Sequence, residues 1–151
     1  MVTAVVAYAG HCASVNEWLA PRKGGGLRHT GAYAAFLDGL ILHFRAWHAG
    51  KPAITGSVEV RIWARVPPRM DLANITKPMF DALERAAVIA DDRQISSYSM
   101  SREPIAAPAG RCAIMLNLER VEPVIDHSHR FAGFGGDYDA WMPESRIRSQ
   151  T

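Results

Sequence analysis

Val58-Glu59-Val60-Arg61-Ile62-Trp63-Ala64-Arg65-Val66 alternates apolar and polar residues over its whole length, until Pro67-Pro68 ends it. A two-residue period is that of a β-strand with one face buried. Val58, Val60, Ile62, Ala64 and Val66 belong to a core, while Glu59, Arg61, Trp63 and Arg65 face the other way. Downstream, Lys77 to about Val88 carries Met79, Phe80, Leu83 and Ala87 at helical spacing, with Pro78 expected in the first turn, where its missing N–H costs nothing. Two further strands follow, Ile95 to Met100 and Arg111 to Leu118. Between them Ser101 to Gly110, with Pro104, Pro108 and Gly110, reads as an exposed hairpin loop.

Upstream, Val2 to Tyr8 reads as a first strand. A loop from His11 to Thr30 holds Ser14-Val15-Asn16 and the flexible basic tip Arg22-Lys23-Gly24-Gly25-Gly26-Leu27-Arg28. Thr30 is a candidate N-cap for a helix running to about His48, with Tyr33, Phe36, Leu37, Leu40, Ile41, Phe44 and Trp47 on one face; Gly50 and Pro52 end it. The order β-α-β-α-β-β predicts a single compact α/β domain over residues 1–122, a mixed sheet flanked by two helices and closed by an antiparallel hairpin. From 123 to 151 neither period persists, and this segment reads as a tail, loosely ordered or packed on a neighbour.

The composition fits one soluble domain: 151 residues, 48% hydrophobic and 21% charged. A net charge of +2 permits a nucleic-acid partner without arguing for one. Cys12 and Cys112 lack metal-ligand spacing and read as free thiols of a reducing compartment. The six histidines show no zinc spacing, and His127 and His129 read as surface residues. No apolar run reaches membrane-spanning length, and the N-terminus lacks the basic flank of a signal peptide, so a cytoplasmic protein with no membrane partner is expected.

Chemistry concentrates between Asp71 and Asp92. Asp71, Asn74 and Lys77 stand at the start of the second helix, and Asp91-Asp92 follows its end. Hydrolysis of a phosphodiester needs a metal to activate water and neutralise charge. Magnesium accepts one to three carboxylates as ligands, and a lysine can stabilise developing negative charge. The return of the chain along a short helix makes a composite site reasonable. On pattern alone, an Asp before a helix is an N-cap and an Asp-Asp before a strand is a solvated turn.

The run Asp71-Leu72-Ala73-Asn74-Ile75-Thr76-Lys77-Pro78-Met79-Phe80-Asp81-Ala82-Leu83, continued by Asp91-Asp92-Arg93-Gln94-Ile95, resembles the core of the RusA-type Holliday junction resolvases: D-x-D-N-x-x-K, F-D-A-L and D-D-x-x-[VI]. The Ser14-Val15-Asn16 element resembles the family's N-terminal S-x-N. The likeness covers roughly residues 1 to 120. It implies a homodimeric, magnesium-dependent endonuclease (Mn2+ a possible substitute) that nicks opposite strands of four-way or branched DNA. It implies Asp71, Lys77 and Asp92 as catalytic residues, Asp71, Asp92 and the neighbouring Asp91 toward metal, and Asn74 as the motif amide.

The second motif aspartate falls on Ala73, which cannot bind metal. The alanine is compatible with a deliberate change, with a divergent enzyme in which Asp91 compensates, or with a junction-binding protein that has lost cleavage. Arg61, Arg65 and Arg69 lead toward Asp71 and could guide a phosphate backbone, or be a solvated strand face. Arg22 and Lys23 could clamp DNA or solubilise a loop, and Asn16 joins the DNA-facing candidates. Trp63 could stack on a base or lie in a dimer interface.

Overall fold

In the computed structural model, residues 3–14 and 19–122 are described; Asn16 and the tail from 123 onward lie outside them. The main sheet has four strands, β1 (Thr3–His11), β4 (Ser57–Arg65), β5 (Ile95–Arg102) and β6 (Arg111–Val121), in the order β1-β6-β4-β5. Helices α1 (Gly31–His48) and α2 (Ala73–Arg85) contribute to the same core. The architecture is a single α/β domain with a mixed sheet and two helices: β1 and β6 are antiparallel, β4 and β5 parallel.

Each strand keeps the alternation of its sequence. In β4, Val58, Val60, Ile62 and Ala64 are at most 1% exposed, whereas Arg61 and Arg65 are open to solvent. Inward residues of β1 and β6 (Val6, Tyr8, Cys112, Ile114, Leu116, Leu118) join them against Tyr33, Phe36, Leu40 and Phe44 of α1. Thr30 caps α1, its Oγ1 accepting from Tyr33 N at 3.3 Å, and Gly50 (φ +74°) takes the left-handed conformation that lets the chain turn away. Gly10 and Gly39 leave room for the Tyr8 hydroxyl, which a Cβ at either position would meet at 2.7 and 3.0 Å. Cys12 and Cys112 are both buried and free.

Four expectations need correction. The loop from His11 to Thr30 is not wholly irregular: β2 (Leu19–Pro21) and β3 (Leu27–His29) pair as a small antiparallel hairpin around the Arg22–Gly26 turn. The last two strands do not form a hairpin, because β5 pairs in parallel with β4 through the α2 crossover and leaves β6 to insert between β4 and β1. The connection instead passes the end of β4, with Glu103 N donating to Ala64 O and Ala107 N to Val66 O. α2 begins at Ala73 rather than Lys77, so Pro78 lies inside the helix, where Asn74 O loses its usual i+4 donor. Ala87 is not part of the buried stripe. It is exposed at φ +56° in a Schellman-type ending, with Val88 N donating to Leu83 O and Ala87 N to Glu84 O.

Candidate active site

The motif residues divide between the two ends of the β4-α2-β5 unit. At one end, α2 opens with a tight turn in which Asp71 O accepts from Asn74 N at 3.0 Å and Leu72 O from Ile75 N at 3.1 Å. No side chain caps this end, and the exposed Asp71 carboxylate makes no hydrogen bond or ion pair among the described residues. It is therefore not the N-cap that its position suggested. Ala73 and Lys77 are exposed and Asn74 half-buried; at i, i+3 and i+4 spacing they share one face of the helix. Lys77 Nζ lies 3.1 Å from Asp81 Oδ2, one turn on. Arg102, at the end of β5, donates to Met70 O and fixes Asp71 beside that end of the strand.

The opposite end holds the acids. Glu84, Asp91 and Asp92 each place one carboxylate oxygen within 4.8 Å of the others, and Glu84 Oε2 accepts from Asp92 N at 3.1 Å. Asp91 is heavily engaged: its carboxylate accepts from Arg93 N at 2.8 Å and from the Arg93 guanidinium at 2.6 to 3.1 Å. The Arg93 side chain, then its backbone N–H, hold this carboxyl well below the usual range. Gln94 ties the turn to the sheet. Its Oε1 accepts from Ala90 N (2.7 Å) and Asp91 N (3.0 Å), while its Nε2 donates to Ile54 O and Gly56 O, both at 2.9 Å.

The two groups do not meet within one chain. α2 runs back along β5, with Thr76 Oγ1 at 3.1 Å from Met100 Sδ, the Phe80 and Tyr98 rings 5.3 Å apart, and Glu84 at Asp92. The thirteen-residue helix spans about 20 Å and the eight-residue strand about 25 Å. Asp71 is therefore separated from Asp91 and Asp92 by roughly 20 Å, a consequence of the parallel crossover, while Lys77, seven residues before Glu84, stands about 10 Å along the helix from that cluster. A polar ridge of Asn74, Lys77, Asp81 and Glu84 runs between the ends, with Lys77 and Glu84 exposed and Asn74 and Asp81 half-buried.

Glu84 and Gln94 were not singled out from sequence. Glu84 carried a signal: an acid in the last turn of a helix opposes the helix dipole, so it stands there against local preference. Gln94 carried none, since its partners at Ile54 and Gly56 are remote in the chain.

The arginines also divide. Arg61 is engaged by Glu59 at 3.2 Å and Glu119 at 3.6 Å on the face of the sheet turned away from the core. Arg65, Arg69 and Arg102 are exposed toward the Asp71 end. Arg22 and Lys23 sit on the β2-β3 turn, whose Gly24, Gly25 and Gly26 all have positive φ. Among the described residues no helix is long and apolar enough to cross a membrane.

No curated protein matches the chain in sequence. A family model, Endodeoxyribonuclease RusA, matches residues 13–117, more than two thirds of the chain, and takes in both ends of the β4-α2-β5 unit. The chain belongs to the RusA endodeoxyribonuclease family.

Proposed function

We propose that this protein is built to resolve four-way DNA junctions by metal-dependent hydrolysis, with Asp71, Lys77 and Asp92 acting at the scissile phosphate. The observation that carries this reading is the family match, which spans both Asp71 and Asp92. The donor set suits magnesium, or manganese in its place: carboxylate oxygens from Glu84, Asp92 and Asp71, with Asp91 in reserve behind its bond to Arg93. A bound metal would activate water and neutralise charge on the phosphate. In this reading Lys77, released from Asp81, offsets negative charge on the phosphate, and Asn74 serves as the motif amide beside it.

Because the two half-sites lie at opposite ends of α2, a complete site needs two copies of the chain: Asp71, Asn74 and Lys77 of one beside Glu84, Asp91 and Asp92 of the other. A homodimer then carries two sites related by its two-fold axis, as paired nicks on opposite strands require. Arg65, Arg69 and Arg102 form the phosphate rail at the Asp71 end, and Arg22, Lys23 and Asn16 are further DNA-contact candidates. Arg61, held by two carboxylates, contributes least.

Ala73 leaves the site short of one ligand, so the chain as written cleaves slowly. It is exposed at the first position of α2, where an aspartate meets no steric obstacle and complements the helix dipole. Ala73→Asp should raise magnesium-dependent nicking of a synthetic four-way junction at least tenfold. If that variant binds junctions yet cleaves none with magnesium or manganese, the nuclease reading fails. A shared site has its own signature in the Ala73→Asp background: proteins carrying Asp71→Asn and Asp92→Asn, each inactive, regain cleavage when mixed, since one site of the mixed dimer is then intact. Ala73 also favours a second reading, a junction-binding protein without cleavage. That protein would bind junctions equally well without magnesium and with Asp92→Asn.

A further inference from the structure

We propose that Cys12, Cys112 and Met70 form a binding site for the soft monovalent cation Cu(I), held by three sulfur atoms gathered beside the Asp71 turn. The site uses none of the residues assigned to phosphodiester hydrolysis, so it is tested apart from the nuclease reading.

The two cysteines lie far apart in the chain, and the fold brings them together. Gly10 pairs with Cys112 across β1 and β6, and just past the end of β1 Cys12 N donates to Gly110 O at 3.0 Å. Cys12 and Cys112 are therefore diagonal neighbours. Both are buried in the core, with their thiols close enough to hydrogen-bond. The third sulfur comes from the turn after β4, where Met70 Sδ lies 3.5 Å from Cys12 Sγ. That turn is fixed at both backbone groups: Met70 N donates to Pro67 O at 3.1 Å, and Met70 O accepts from Arg102.

The thiols have only weak partners. Cys12 donates to the Met70 thioether and Cys112 to His11 O at 3.7 Å, and S–H is a poor donor. The hydrogen bond from Cys112 draws the Cys12 thiol below the ordinary value, while the same bond, and then burial, push Cys112 up. One proton of the pair thus leaves readily, and a bound cation displaces the other. Sulfur ligands about 2.3 Å from one ion stand roughly 3.8–4.0 Å from each other, so the sulfurs need spread only slightly. Two thiolates and a thioether select Cu(I). Zinc takes four ligands from Cys, His and carboxylates, and among the described residues no third such group joins the two thiols. A disulfide is the competing fate, but diagonal neighbours have Cα atoms about 7–8 Å apart, beyond the reach of an unstrained bridge. Binding releases two protons to water and leaves one negative charge, which Arg111 beside Cys112 offsets. The copper stays Cu(I), and no electron is transferred.

The test is an anaerobic titration of the reduced full chain with Cu(I), in competition with the chelator bicinchoninate and followed by ultraviolet thiolate-to-copper absorption. One Cu(I) per chain is expected. Met70→Leu, Cys12→Ser and Cys112→Ser should each raise the dissociation constant at least about tenfold, since even partners behind the ligands are worth about 10–100-fold in affinity. Met115→Leu, on the opposite face of β6, should leave it unchanged. Met70→Leu keeps the side-chain volume, so it decides the matter if circular dichroism shows the serine variants unfolded. A chain that takes up no Cu(I) would overturn the site. So would binding that ignores Met70→Leu, or that Zn(II) matches in affinity.

Discussion

Replacing Gln94 by alanine should cost about 3 kcal/mol of stability, most of it felt around Asp91 and Asp92. The side chain makes four hydrogen bonds, to Ala90 N, Asp91 N, Ile54 O and Gly56 O, between 2.7 and 3.0 Å. A typical intramolecular hydrogen bond contributes a net of about 0.5–1.5 kcal/mol. The bonds to Asp91 N and Ile54 O are partly buried and belong in the middle of that range; those to Ala90 N and Gly56 O are exposed and belong at the bottom. Together they give about 3 kcal/mol. Urea unfolding should show this as a midpoint lowered by roughly 1–3 M with its slope unchanged, given slopes of about 1–3 kcal/mol/M for small domains. Gln94→Glu keeps an acceptor for the two N–H groups but loses both donations and adds a carboxylate beside Asp91, so it should be no more stable than the alanine variant. A loss under about 0.5 kcal/mol for Gln94→Ala, the range of an unremarkable surface change, would refute the view that this residue moors the acidic turn to the sheet.

Ala87→Gly should stabilise the domain by about 1 kcal/mol, since the residue holds a left-handed conformation that costs an L side chain roughly that much, and a thermal melt would show the midpoint rise. Arg93 holds the Asp91 carboxyl below the ordinary carboxylate value of about 3.9, so the stabilisation from this group is full above the ordinary value and is lost as pH falls through the depressed one. Asp91→Asn should therefore flatten the acid limb of the stability curve below about pH 4 and leave the slope near neutrality unchanged, measured by urea unfolding across pH.

How far the fold could be read from sequence differed from element to element. α1 and β4 were legible because a single period runs through each and the buried residues are those the period selects. Pro78 was misplaced because a proline after a lysine looks like a helix start, and only the packing of Ile75 and Met79 shows that the helix is already under way. The supposed hairpin of the last two strands failed for a different reason. Adjacency in sequence favours pairing, but a parallel crossover had already used one side of β4, and β6 went to the other. The candidate site suffered most from this. Asp71 and Asp92 lie close enough in sequence to suggest one cluster, whereas a strand-helix-strand crossover sends its two connections to opposite ends of the sheet. Gln94 became visible only once the helix end and the start of β5 were set side by side, and the same juxtaposition gave the acid at Glu84 its partner.

The proline within α2 has a consequence for motion. A helix of thirteen residues with an interior proline is too short and too interrupted to persist by its own propensity, so it depends on Ile75, Met79, Ala82 and Leu83 staying buried. Opening should then be all or none, and amide exchange along α2 should report one shared rate rather than gradual fraying from either end. Since the Asp71 turn and the Glu84 carboxylate hang from the two ends of this one helix, a single loosening event displaces both, and the order of the two half-sites rises and falls together.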